Sequence, residues 1–227
     1  MKRFILILIC LPMIGFGQTL IPDASFEQAL INLGYDTGTP NGSVPTANIN
    51  TVTYLDVSSS NISDLTGIED FTALTYLNCA YNQLTSINLS NNTALTGLGC
   101  GNNQLTSLDV SNNTALDSLH CGNWLGGNLL TSLDVSNNTA LTILYCHENQ
   151  LTSLDVSLNI ALTDLNCYSN QLTSLDVSTN TALIDLNCGS NQLTSLDVSN
   201  NMALTYFSCA NNPLGNLDVS HNTALTV

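Results

Sequence analysis

The chain has 227 residues, with 17 acidic side chains, two basic ones and a formal net charge of −15 at pH 7. Both basic residues, Lys2 and Arg3, lie at the extreme amino terminus, so everything beyond them lacks Lys and Arg. Phosphate-backbone binding and adhesion to anionic lipid depend on those side chains, which excludes nucleic acid and anionic membrane surfaces as partners and leaves burial and backbone hydrogen bonding to hold the fold.

Residues 1–17 carry the parts of a secretory signal: Lys2 and Arg3, an apolar run from Phe4 to Ile14, and small residues at Gly15 and Gly17. The apolar run is shorter than the ~18 to 20 residues that cross a bilayer, so the segment reads as a cleaved signal and membrane insertion is not expected. Ile9 stands where a small residue precedes a lipidated cysteine, which argues against lipidation of Cys10. A secreted or cell-surface protein beginning near Gln18 follows.

Residues 18–51 do not repeat. Within them PDASFEQALINLG predicts a short helix, with Asp23 or Ser25 as cap, Phe26, Leu30 and Ile31 on one face and Gly34 as stop. Such a helix would cover the open end of whatever core follows. A loop rich in Gly, Pro and Thr, Asp36 to Thr46, joins it to the rest.

Residues 52–227 repeat. Seven cysteines fall at 79, 100, 121, 146, 167, 188 and 209, spaced by 21 residues except for one step of 25, which is the signature of a solenoid. Each unit holds two near-copies, LTxLxCxxNQ and LTSLDVSNNTA, and the alternation in LxC and LxV is that of a half-buried strand. This predicts an all-β solenoid of about eight turns, with two short parallel strands per turn, two parallel sheets and turns stacked about 4.8 Å apart. Leucine columns form the core. Two asparagine columns, Asn82 to Asn212 and Asn92 to Asn222, satisfy backbone groups at the corners. The cysteines take the inward position that Val holds in the other half-repeat, which reads as a column of buried free thiols, with bridges between neighbours or metal as alternatives. Val227 ends the sequence one strand into a further turn, so the chain reads as truncated, monomeric apart from end-to-end contacts at an uncapped end.

These residues are recognisable. LTYLNCAYNQ and LTSLDVSNNTA resemble the nested 21-residue class of bacterial leucine-rich repeats, and YLDVSSSNISDLTGIEDFTAL, residues 54–74, resembles the 22-residue repeat of internalins. IPDASFEQALINLGYD is similar to the amino-terminal cap of secreted leucine-rich-repeat proteins of Bacteroidetes and flavobacteria. The resemblance implies a leucine-rich-repeat solenoid and an adhesion or interaction module, often followed by a carboxy-terminal sorting domain that this sequence lacks, and it transfers no catalytic residue.

Repeats allow comparison between turns. On the LTSLDVS half the outward residues hardly change, and Asp109, Asp134, Asp155, Asp176, Asp197 and Asp218 form a column flanked by serines. Carboxylates about 4.8 Å apart repel by roughly 1 kcal/mol per pair in water, so the column reads either as a row of Ca²⁺ sites or as a solvated stripe with Ser to Asp hydrogen bonds. On the LTxLxC half the outward residues vary, and His120, Ile143, Tyr145, His147 and Tyr168 are expected to be neighbours, near the 25-residue turn that adds Trp124. Tyr and Trp are the usual anchors of binding hot spots, which predicts a patch for a protein or glycan partner. A metal alternative groups His120, His147 and Glu148. A periodic binder using the Ser and Asp columns is the competing function. An enzyme is not expected: no phosphate loop, nucleophile motif or metal spacing is present, and a flat sheet offers no cleft.

Overall fold

The computed structural model describes residues 17–123 and 126–226, so the signal sequence up to residue 16 and Trp124 lie outside the described residues. The chain begins with β1 (Gln18–Leu20), α1 (Ala24–Asn32), β2 (Ser43–Pro45) and α2 (Thr46–Ile49). It then passes through eight three-residue strands, β3 (Tyr54–Asp56), β4 (Tyr76–Asn78), β5 (Gly97–Gly99), β6 (Ser118–His120), β7 (Ile143–Tyr145), β8 (Asp164–Asn166), β9 (Asp185–Asn187) and β10 (Tyr206–Ser208). These pair in chain order as one parallel eight-stranded sheet. A 3₁₀ turn, Ile68–Asp70, lies in the first repeat.

The cap helix forms as its sequence dictates. Asp23 Oδ1 accepts from the Ser25 and Phe26 amides at 2.8 and 2.9 Å, so Asp23, not Ser25, is the cap. At the other end Gly34, with φ +84°, donates to Ile31 O, and Tyr35 donates to Leu30 O; this Schellman closure needs a left-handed residue at Gly34. Phe26 and Leu30 are buried as expected, whereas Ile31 is only partly covered. Two contacts tie the cap to its surroundings. Asp23 Oδ2 accepts from the Ser63 amide, the Ser63 hydroxyl and the Asp64 amide in the first repeat, at 2.8, 2.8 and 3.0 Å. Glu27, fully buried, accepts from the Asn41 and Gly42 amides at 2.6 and 2.7 Å and so holds the Gly- and Pro-containing loop.

In the solenoid, the Leu, Val and Cys columns form one continuous core that also includes Phe26 and Leu30 of the cap. The first asparagine column sits beside an unusual backbone. Tyr81, Asn102, Glu148, Ser169, Ser190 and Asn211 have φ between 53° and 58°, a left-handed conformation that costs a residue with a Cβ about 1 to 2 kcal/mol. Each is followed by a ladder asparagine whose amide grips the carbonyls around it. Asn170, for example, donates to Cys146 O, Cys167 O and Tyr168 O, and accepts from the Leu151 amide at 2.9 Å. The second column works across turns: Asn159 Nδ2 donates to Val135 O and Asn138 O, and Asn180 Nδ2 to Val156 O and Asn159 O.

The second strand per turn expected from the LDV alternation does not form, and there is one parallel sheet in the solenoid instead of two. The amides that a second ladder would need are used within the turn. The Ser111 amide donates to Asp109 Oδ1, the Asn113 amide to Val110 O and the Leu116 amide to Asn113 O, so LDV runs straight into two successive tight turns. Neighbouring turns on this side keep few backbone bonds, such as Gln171 N to Leu151 O, and are also bridged by side chains such as Thr179 Oγ1 to Ser157 O. An open groove of about 370 Å³ on this side is lined by Asp155 and Asp176.

Asn170→Ala removes bonds within its own turn and to the turn before and strands the Leu151 amide. It is expected to lower stability by about 2 to 4 kcal/mol in urea unfolding, whereas exposed Asn112→Ala changes it by less than about 0.5 kcal/mol. Partial burial alone would raise the Asp23 pKa, but its bonds from Ser63, Phe26 and Asp64 outweigh that and hold it below the ordinary value. A carboxylate depressed in the folded state stabilises fully above its unfolded pKa, about 3.9, and loses that contribution as pH falls through the folded value. Asp23→Ala is therefore expected to cost about 1 to 2 kcal/mol at pH 7 and progressively less below pH ~4, read from unfolding midpoints across pH.

Candidate binding surface

The strand register fixes which outward side chains meet. Tyr54, Tyr76, Gly97, Ser118, Ile143, Asp164, Asp185 and Tyr206 form one row across the sheet, and Asp56, Asn78, Gly99, His120, Tyr145, Asn166, Asn187 and Ser208 form the next. Within the turns from 116 to 170, where the cluster is expected, the rings of His120, Tyr145 and His147 come together. His120 and Tyr145 pack with ring centroids 4.6 Å apart, Tyr145 meets His147 edge-on at 6.2 Å, and the Glu148 amide donates to Tyr168 O in the next turn. Ile143 lies beside Ser118 and Asp164.

His147 departs from expectation. It is only 3 % exposed, so it supports the patch from below and does not form part of its surface. Gly122 makes this possible, because a Cβ there would collide with the His147 backbone and ring. Burial, with a smaller push from His120, drops the His147 pKa to about 4. Burial alone lowers that of His120. Both rings are therefore uncharged at neutral pH. Tyr145 is pushed the other way, by burial first and then by Asp164 and Asp185, and Asp185 is itself raised by burial and by Asp164. Trp124 falls outside the described residues.

On the opposite side, Asp109, Asp134, Asp155, Asp176, Asp197 and Asp218 are all fully exposed to solvent, and each Oδ1 accepts from the amide of the serine two residues on, at 2.8 to 2.9 Å. At Asp155 the bonds from Ser157 lower the pKa while Asp134 and Asp176 oppose them. Among the described residues no three or more His, Cys, Asp or Glu side chains come together as a metal site requires. That holds for the Asp column and for His120, His147 and Glu148 alike. One carboxylate per turn supplies few of the six to eight oxygens that Ca²⁺ takes.

The cysteine column is a column of free thiols. Cys79, Cys100, Cys121, Cys146, Cys167 and Cys188 are buried and Cys209 partly so, and burial pushes the thiols of Cys79, Cys121 and Cys188 up to about 12, far from the reactive thiolate. Sequence reasoning passed over two features. One is Glu27, which composition gives no reason to bury. The other is a depression over β5, legible as three outward glycines in a row, Gly97, Gly99 and Gly101.

Unfolding midpoints in excess Ca²⁺ and in excess chelator are expected to coincide, because a cation without a native site shifts nothing by mass action. A higher midpoint in Ca²⁺ that Asp155→Asn with Asp176→Asn removes would assign metal to the column.

No protein-family model matches the chain. Internalin J of Listeria monocytogenes serotype 4b (strain F2365) is 52% identical over 42 residues, 18% of this chain and 5% of that protein. Among solved structures, the functional domain of InlJ from Listeria monocytogenes, which includes a cysteine ladder, matches with a TM-score of 0.75 at 37% identity, over 92% of this chain and 51% of that one. Internalin C2 from Listeria monocytogenes strain 4b F2365 matches with a TM-score of 0.78 over 91% of both chains, but at 21% identity this is likeness of fold alone. The chain thus spans about half of the InlJ domain and a small part of the curated relative. No helix among the described residues is long and apolar enough to cross a membrane. The chain is a leucine-rich-repeat solenoid with parallel strands whose structural neighbours are internalins of Listeria.

Proposed function

We propose that this is a secreted or cell-surface, non-catalytic interaction module that binds a protein partner through the outward face of its eight-stranded sheet, around His120, Ile143, Tyr145 and Tyr168. One observation carries the reading. The outward rows on the sheet change from turn to turn, while the opposite half-repeat keeps Ser, Asp and Ser but for Asn88 and Asn216, so the sheet is the face able to encode a particular partner. The aromatic cluster supplies rigid anchors. Asp164 and Asp185 beside it, in a chain without Lys or Arg beyond Arg3, favour a partner that brings positive charge. The signal-like residues 1–17 support export, and the cap supports membership of the nested 21-residue class of Bacteroidetes type.

A display screen of extracellular protein domains against the purified chain tests this. Tyr145→Ala with Tyr168→Ala is expected to weaken any captured domain by about 2 kcal/mol or more, roughly thirtyfold, and Asp155→Asn with Asp176→Asn to leave it unchanged. Loss of binding in the second pair but not the first would move the binding surface to the Ser and Asp columns and overturn the reading.

A further inference from the structure

Between β4 and β6 the sheet surface drops into a walled depression of about 230 Å³. Strand β5, GLG, has no outward side chain, and its neighbours close around the gap. Tyr76 forms one wall. Its ring stacks on Tyr54, centroids 4.9 Å apart and planes within 5°, and leans so far over Gly97 that a Cβ there would lie 2.6 Å from Tyr76 Cδ2. The far wall is Ser118 and His120. One end is closed by a bond that spans two whole turns, Tyr81 Oη donating to Asn123 Oδ1 at 2.9 Å.

We propose that this depression is a subsite for one neutral hexopyranose ring of a glycan. Size comes first. The volume lies below the ~300 to 1,000 Å³ that holds a drug-sized ligand and suits a single six-membered ring. Charge comes second. With no Lys or Arg beyond Arg3 the chain offers an anionic sugar no counter-charge, and with no carboxylate in the lining of the depression a cationic amino sugar gains no partner there, which leaves neutral rings. Chemistry decides between a sugar and the aromatic side chain of a protein. The negative face of Tyr76 attracts the polarised C–H groups of a pyranose. Opposite it, the Ser118 hydroxyl and the His120 ring, one donor and one acceptor when neutral, match sugar hydroxyls. An apolar side chain in the same place would desolvate both without replacing their hydrogen bonds. The site shares only His120 with the protein-binding patch, so either can fail without the other.

Saturation-transfer NMR of the purified chain with methyl α-D-glucopyranoside, galactopyranoside and mannopyranoside, and with p-cresol as the aromatic competitor, tests this directly. At least one glycoside is expected to receive saturation on its ring C–H protons, with a dissociation constant on the order of 1 mM, and p-cresol none. Gly99→Asn gives β5 the residue that β4, β8 and β9 carry at the same place, Asn78, Asn166 and Asn187, and a Cβ at Gly99 stands 3.1 Å from Asn78 Oδ1, so the change fills the floor once the Asn78 side chain yields by a few tenths of an ångström. It is expected to abolish the transfer while leaving a cooperative unfolding transition with at most a small shift of its midpoint. Should it disturb folding, Tyr76→Ala, on a partly exposed ring, is expected to weaken binding about tenfold. Three results would each overturn the proposal: no glycoside binding, glycoside binding that survives both variants, or binding of p-cresol alone.

Discussion

Every turn of this solenoid must bend the backbone sharply, and every bend removes amides and carbonyls from water without giving them a strand to pair with. Asparagine side chains solve that problem. One column grips carbonyls of its own turn and the turn before, and the other bridges turns at the second corner. In the first column the side-chain amide donates and accepts at once, and in the second each Nδ2 donates to two carbonyls while Oδ1 is buried without a hydrogen-bond partner, so one residue replaces partners a missing ladder would have supplied. With no Lys or Arg in the repeats, these bonds and the buried leucine, valine and cysteine columns hold the repeat together. The sheet face owes its regular platform to them.

The same accounting separates the two faces. On the sheet side the amides of successive turns bond to one another, the backbone is locked, and outward side chains are free to vary. On the other side Asp takes the amide of the following Ser, and the tight turns take two more. There the outward residues serve the backbone, and this is a physical reason for their constancy that requires no ligand. The column of aspartates is thus a column of local turn formers, each stabilised as the anion by a donor of its own.

Small residues decide where the sheet face has relief. Gly122 lets His147 sink beneath the patch, leaving Tyr145 and His120 above it, and Gly99 leaves a hollow between Tyr76 and His120. A glycine strand between bulky neighbours shapes the surface as firmly as the aromatics do. The sheet therefore offers two adjoining features, an aromatic prominence and a polar-walled hollow.

Much of this was legible beforehand. A period of 21 residues with apolar positions at fixed offsets leaves little besides a solenoid, and Asp23, Phe26, Leu30 and Gly34 spell out the cap helix, because such signals depend on neighbours in sequence. The register of outward rows followed from the period too, which is why the contact of His120 with Tyr145 was foreseeable. Tertiary structure alone decided the rest. Whether LDV becomes a strand depends on whether its amides face another turn or an acceptor within their own, and hydrophobic alternation is the same in both cases. Whether His147 is exposed depends on a glycine one turn away, and why Glu27 is buried depends on two amides 14 and 15 residues further on. Sequence periodicity records which face a residue takes; competition for hydrogen-bond partners across space settles what that face becomes.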